Sequence, residues 1–329
     1  MIWLTWRQHR SEAVTAAVLV AMLGVVALTL GRSMHSAYTS DGISSCLSAP
    51  TAGSCQTTIG AFTTKYYNSV NQWLPYFALL PGLLGAVIGA SVFGRELEHH
   101  TWRMVWTQTI PRTRWLAAKL ALLTAALITF GLLSTLLIGW YRAPIDRLVG
   151  RFDNSAYDFE GVLGTAHLLC AFGFGVLAGL LIRRTIAATA VSFGAFVALA
   201  FGAEFWARPH LQHPVTLRLA EVAPYQSGSD VIPPPSGHVG DWILSSGISD
   251  TAGHRYTEVE LRAATQTAHA GGSSDIVNAY ARSKGIYRWI SFQPAGRWWH
   301  FQLVEGSLYL MLAVIAVALA VWLSARLPR

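Results

Sequence analysis

Long apolar stretches separated by short polar ones dominate this chain, and most are too long to be strands. A predominantly apolar segment of about 20 residues crosses the roughly 30 Å hydrocarbon core of a bilayer as a helix, which satisfies its backbone polar groups internally. Six segments reach that length: 12–31, 73–93, 117–140, 161–182, 186–206 and 303–324. Ahead of the first, "MIWLTWRQHRSE" sets Ile2, Trp3 and Trp6 on one helical face and Arg7 and Arg10 on another. That pattern suits an amphipathic cytoplasmic helix over 1–11 lying in the headgroup layer; the alternative is a basic tail. The first apolar run exceeds the roughly 7 to 15 residues of a cleaved signal, so it is expected to stay as an anchor.

Between the fifth and sixth segments the pattern changes. "ARPHLQHPVTLRLAEVAPYQSGSDVIPPPSG" is rich in Pro and Gly and predicts irregular structure. "DWILSSGISD" and "YRWISFQP" carry the β-branched and aromatic content of strands, and "SSDIVNAYARS" reads as a short capped helix. The expected fold is therefore membrane all-α. It has six transmembrane helices, the N-terminal amphipathic helix, and a small extracellular α+β domain over 207–300 between spans five and six. Spans one to five fall within 12–206, with a cytoplasmic loop at 94–115, and 301–329 holds the sixth span and a cytoplasmic tail.

Composition agrees with a bilayer environment: 53% of residues are hydrophobic and 12% charged, against roughly 25% charged in soluble domains. The distribution of Lys and Arg sets the orientation. With the N-terminus inside, the inner segments hold eleven: Arg7, Arg10, Arg95, Arg103, Arg112, Arg114, Lys119, Arg183, Arg184, Arg326 and Arg329. The short outer loops hold five: Arg32, Lys65, Arg142, Arg147 and Arg151. Both termini are thus expected in the cytoplasm and the chain in a bacterial plasma membrane. Once the inner arginines are assigned to this rule, the net charge of +7 leaves no basic stripe for nucleic acid. Cys46 and Cys55 lie in an outer loop broken by Pro50 and Gly53. A disulfide is expected there in an oxidising compartment, the alternative being two free thiols.

After the second apolar run comes a polar break, "FGRELEHHTWRMVWTQT", residues 93–109. It has the residue types of a zinc site but not the spacing. Glu96 and Glu98 precede the histidines, and adjacent His99 and His100 point to different helical faces. No metal is expected. No phosphate loop occurs, and Lys65, Lys119 and Lys284 lack its glycine context, so the chain cannot hydrolyse ATP alone. On a short helix Glu96 shares a stripe with His99, His100 and Arg103, while Leu97 and Trp102 add apolar knobs. Such a stretch offers a docking surface, or is a solvated loop held by local ion pairs.

Here the chain resembles a family. Six spans, the N-terminal helix and a cytoplasmic "GRELEHHTWRMVWTQT" between spans two and three look like the permease subunits of type-2 ATP-binding cassette exporters, particularly those common in actinobacteria. "MIWLTWRQHR" and "SFQPAGRWWHFQLVEG" are similar to members of that group as well. In that family a stretch of the form R-E-x-E-x-G-T is the coupling helix, seated in a groove of the ATPase subunit. Arg95, Glu96, Glu98 and Thr101 match it, and His100 stands where Gly is usual. The resemblance implies ATPase coupling through Arg95, Glu96, Glu98, His100, Thr101, Trp102 and Arg103. It also implies two copies of an ABC ATPase subunit as partners, carrying the ATP and Mg, with no cofactor on this chain, and a second, identical permease chain. The remaining partner is membrane lipid.

The spans hold few ionisable groups, so an exported compound is expected to be apolar or amphipathic. His167, Glu204 and Glu305 are the exceptions near the outer leaflet. They suit a substrate path or outer gate, or else ordinary polar contacts with the outer domain. A membrane receptor or immunity protein that binds ligand through 207–300 without transport fits the same composition.

Overall fold

The computed structural model describes residues 2–48, 53–71, 77–98, 112–219, 222, 239–261, 263 and 274–326. Residues Ile2–Ser40 form one helix, α1, so no helix break separates the expected N-terminal helix from the expected first span. Two further helices follow, α2 (Ile43–Ser48) and α3 (Gly53–Asn71); α3 has no counterpart among the sequence-predicted elements. Next come α4 (Leu80–Glu98), α5 (Arg112–Asp146), α6 (Leu163–Ile182) and α7 (Thr185–Gly202). A π-helical turn at Ala203–Ala207 and a short helix at Arg208–His210 prolong α7. The last long helix is Trp298–Ala325.

Among the described residues, five helical stretches are long and apolar enough to cross a membrane: 80–98, 114–146, 163–182, 185–210 and 295–325. They correspond to expected spans two to six. The expected first span, 12–31, lies inside α1 and is not one of these five candidates among the described residues.

α4 and α6 form the centre, and glycine lets them approach. A Cβ at Gly85 would strike the carbonyl of Leu168, and one at Gly89 that of Phe172. Gly175 and Gly179 take the backbone of Ala86 and Ala90 in return. The small-xxx-small spacings of these four residues, Gly85 to Gly89 and Gly175 to Gly179, therefore serve packing within one chain. Val92, Phe93, Leu168, Phe172 and Val176 fill the seam, and Leu116, Leu120, Leu123 and Leu127 of α5 close one side of it. Further out, Leu132, Leu133 and Leu136 of α5, Ile186 and Val191 of α7, and Met311 and Val314 of the last helix are exposed. Apolar faces of this extent need lipid rather than water as their solvent.

α1 is fastened to α5 through a defect in the latter. Pro144 lies inside α5 and has no N–H, so it cannot serve the carbonyl of Trp140 four residues before it. His35 Nε2 meets that carbonyl at 2.9 Å, and its ring stacks on Trp140 at 4.9 Å between centroids.

At one end of the helices sits a four-stranded antiparallel sheet, ordered β1-β4-β2-β3. β2 (Trp242–Asp250) and β4 (Ile286–Gln293) are the two strands read from sequence, and α8 (Ser274–Ser283) is the helix. β3 is the short Arg255–Tyr256. β1 (Val215–Leu219) is a correction, since its segment predicts irregular structure; it forms because β4 supplies a partner edge, with Leu217 opposite Ile290. Ile248, Leu261, Val277, Ala281 and Ile286 pack together as the core of this unit. It is seated on the helices through Phe152, which stacks on Trp242 and meets Phe301 edge-on. Gly150 and Gly240, both at positive φ, touch backbone to backbone at the joint, where no side chain fits.

Candidate functional site

Charged groups collect at the two ends of the bundle. At the end away from the sheet, α4 finishes with Arg95, Glu96, Leu97 and Glu98. Glu96 is buried, and so is Lys119, two turns into α5. Lys119 Nζ donates to Glu96 Oε1 at 2.8 Å and to the carbonyl of Val92 at 3.0 Å. The cation thus meets a carboxylate together with the carbonyl-rich C-terminal end of a helix, both of which favour positive charge. Its stem lies by Trp115, with Nζ 5.1 Å from the ring centroid.

Glu98 reaches a third helix. Its Oε2 accepts the backbone N–H of Thr185 at 3.1 Å and the Thr185 hydroxyl at 3.0 Å. Thr185 opens α7, where backbone N–H groups have no partner within the helix and the dipole favours an anion. Gly94 allows the approach, since a Cβ there would lie 3.1 Å from Thr185 Cα. Between α6 and α7 the chain reverses in two residues, with Arg183 at φ 59 capping α6 in the left-handed conformation. Of the residues expected to couple to an ATPase, Arg95, Glu96 and Glu98 are therefore placed on the last turn of α4. His100, Thr101, Trp102 and Arg103 lie outside the described residues.

At the sheet end, Arg208 follows the π-helical turn and is buried with Glu305 of the last helix. Its Nε and Nη2 donate to the two Glu305 oxygens, each at 2.9 Å, and Nη2 also meets Asp158 Oδ1 at 2.7 Å. The guanidinium lies 4.1 Å from the Tyr157 ring centroid, and the Tyr157 hydroxyl donates to Glu305 Oε2 at 3.2 Å. Burial first, and then the Glu305 charge, hold the Tyr157 phenol above its ordinary range, so it remains a donor. Gln302, fully buried, accepts the N–H groups of Val162 and Leu163 at 3.2 and 3.1 Å and donates to the Tyr157 carbonyl at 2.8 Å.

The three residues expected at an outer gate occupy this neighbourhood on different terms. Glu305 is locked by Arg208 and Tyr157. His167 is buried edge-on between Tyr309 and Phe196, at 4.4 and 5.4 Å between centroids, and its Nε2 finds no hydrogen-bond partner among the described residues. Glu204, half-buried in the π-helical turn, lies within electrostatic reach of Arg208, Asp158 and Glu305.

A second ionic cluster joins the loop after α5. Arg142 is fully buried, with Nε 3.3 Å from Asp146 Oδ1 and Nη2 3.3 Å from Asp153 Oδ2. Its Nε also stands 3.3 Å from Glu160 Oε1 without hydrogen-bond alignment. Tyr67 of α3 donates to Asp153 Oδ1 at 3.0 Å. Burial first, and Asp146 second, push the Glu160 carboxyl up to about 8. Nearby, Cys46 and Cys55 are joined in a disulfide, and Cys170 is free and buried in α6.

Sequence reasoning missed Lys119, Thr185, Asp158, Arg208 and Gln302. Lys119 carried a usable signal, being the one charge within the expected span 117–140, near its inner edge, where an ionised group requires a partner or water. Among the described residues no group of His, Cys, Asp and Glu could hold a metal ion.

Residues 17–208 match a family model described as ABC-2 membrane transporter related. No curated protein and no solved structure matches the chain.

Proposed function

The chain belongs to the ABC-2 membrane transporter related family and is an integral membrane permease, and on that premise we propose that it is the membrane-spanning subunit of an ATP-driven exporter. The cargo is an apolar or amphipathic small molecule or lipid-like compound, carried out of the cell. The family implies an ABC ATPase as partner, and we assign coupling to the 94–110 stretch, with two ATPase copies and a second, identical permease chain completing the assembly.

One observation carries this reading beyond the family. The last turn of α4, the first turns of α5 and the α6–α7 turn meet at the end away from the sheet, bound through Glu96, Lys119, Glu98 and Thr185. Arg95, Arg114, Lys119, Arg183, Arg184 and Arg326 lie on helix ends or turns consistent with that face. Positive charge favours the cytoplasmic side. The disulfide-bonded segment and the sheet then face outward, and to His167, Glu204 and Glu305 we assign a substrate path or outer gate, with Arg208 as the partner of Glu305.

The test is co-expression with an ABC ATPase, purification through this chain, and reconstitution in lipid vesicles. The wild type should retain the ATPase, with ATP turnover that rises for some members of a panel of amphipathic compounds. Trp102→Ala with Arg103→Ala should lower both ATPase retention and turnover. If the wild type retains no ATPase but binds ligand through its outer domain, it is a receptor and the proposal fails.

A further inference from the structure

The acids at the end of α4 stand in a stretch expected to dock on another protein, and each also bonds to another helix of this chain. Glu96 is buried and paired with Lys119 of α5, whose ammonium also holds the Val92 carbonyl. Glu98 accepts both the N–H and the hydroxyl of Thr185, the first residue of α7. α4 is meanwhile packed along α6 with glycine at Gly85, Gly89, Gly175 and Gly179, so these two helices meet at backbone distance. One helix end is therefore tied to two others by charge-assisted bonds and to a third by close packing.

The chemistry of the two ties differs in a way that matters for motion. The Glu96–Lys119 pair is buried, and separating it would leave an uncompensated charge away from water, so α4 and α5 must move together at that point. Glu98 instead caps a helix. It holds the start of α7 through the backbone N–H of Thr185, which has no partner within the helix, and through the Thr185 hydroxyl, and the two-residue turn at Arg183 and Arg184 leaves little slack between α6 and α7. Any displacement of the last turn of α4 is thus carried to α5 by an ion pair and to α7 by a cap.

We propose that Glu96 and Glu98 are positioning residues which act inside the chain, passing movement of the coupling stretch to α5 through Lys119 and to α7 through Thr185. The docking role then falls on the residues after Glu98 in sequence. This rests on the reading of 94–110 as the ATPase-coupling stretch. It divides that stretch into a part that binds the ATPase and a part that transmits.

The experiment uses the complex with its ATPase, in lipid nanodiscs, and follows backbone hydrogen exchange with and without ATP plus vanadate. Wild type should show nucleotide-dependent exchange in the first turns of both α5 and α7. Glu98→Ala should lose the response in α7 and keep it in α5, and Thr185→Ala should weaken it in the same place. Lys119→Met strands Glu96 and risks misfolding, so Glu96→Met with Lys119→Met is tested beside it. That pair replaces both charges by apolar side chains, which generally preserves folding; it should keep the thermal midpoint and lose the α5 response alone. Lys119→Arg, which still offers donors to Glu96 and Val92, should retain it. ATPase retention should be unchanged in all of these variants. If Glu98→Ala or the double Met variant releases the ATPase, the acids are docking residues and the inference falls; it falls equally if both helices keep their nucleotide response. Absence of ATPase binding, or of any nucleotide response, in the wild type would overturn the coupling reading itself.

Discussion

Arg208 and Glu305 form a two-pronged ion pair across the sheet end of the bundle, with guanidinium Nε and Nη2 each 2.9 Å from one carboxylate oxygen. The pair ties the extension of α7 to the last helix, and Asp158 joins it from the loop before α6. Two parallel N–H bonds need a planar fork, which Lys lacks. Arg208→Met leaves two carboxylates facing each other with no counter-charge, and breaking a buried pair costs roughly 3–5 kcal/mol. Arg208→Lys should recover only part of the loss. Thermal unfolding of the detergent-solubilised protein should rank wild type above Arg208→Lys above Arg208→Met; equal midpoints for wild type and the Lys variant would show that the fork is dispensable.

The α4–α6 seam predicts a sharp contrast between glycines. At Gly89 an added Cβ meets the backbone of Phe172 and Gly175, and no rotamer change can relieve a clash with backbone. Gly89→Ala should destabilise by about 1–3 kcal/mol, as overpacked cores do. Gly194, on α7, has nothing within 4 Å of such a Cβ, so Gly194→Ala should be neutral or slightly stabilising. Thermal midpoints and the yield of monodisperse protein for the two variants test this; a loss as large at Gly194 as at Gly89 would contradict it.

These contacts mark where the sequence stops being informative. An apolar run of span length is a local property, which is why the five span-length helices between Leu80 and Ala325 were legible from the pattern of apolar residues. β2, β4 and α8 were legible for the same reason, since β-branched alternation and a capped amphipathic turn are written in consecutive residues. β1 was not, because "VTLRL" is short, follows Pro214 and precedes a Pro-rich stretch; its strand character comes from pairing with residues some 70 positions later, Leu217 opposite Ile290 among them. The acids Glu96 and Glu98 were visible, but their partners were not. Lys119 lies 23 residues away and Thr185 lies 87 residues from Glu98, and only the packing of α4 against α5 and α7 brings them together. Arg208 and Glu305 are separated by 97 residues, so Glu305 read as an isolated acid.

The Cys46–Cys55 disulfide closes a short loop between α2 and α3, with a sequence separation of 9. Chain-entropy reasoning puts the stabilisation from a loop of this size at roughly 2.5–3 kcal/mol. Cys46→Ser with Cys55→Ser should loosen α2 and α3, which pack on α1 through Met34, Tyr38, Ile43, Ile59 and Phe62, and leave the α4–α6 seam intact. Mass labelling with a maleimide polymer checks the bond directly. Native protein should take no label before reduction and two after it, with Cys170 reacting only on unfolding because it is buried. Labelling of Cys46 or Cys55 without reductant would refute the bonded state.

Glu160 gives the sheet end a dependence on pH whose sign can be worked out. Its carboxyl is pushed up to about 8 from an ordinary value of 4.5, by burial first and then by the charge of Asp146, with Arg142 and Arg151 opposing the shift. The folded protein therefore holds this proton more tightly than the unfolded chain does. Its contribution to stability is complete below about pH 4.5 and is lost as the pH rises to about 8. Glu160→Gln fixes the neutral state and removes this one titration. Across pH 5 to about 8.5, the thermal midpoint of wild type should fall relative to that of the Gln variant, with the gap widening steadily through the interval. Asp146 titrates together with Glu160, so the difference between the two curves reports the pair's uptake of this proton. Parallel curves would mean that Glu160 is already ionised in the folded protein, held by Arg142 and Arg151 strongly enough to overcome its burial.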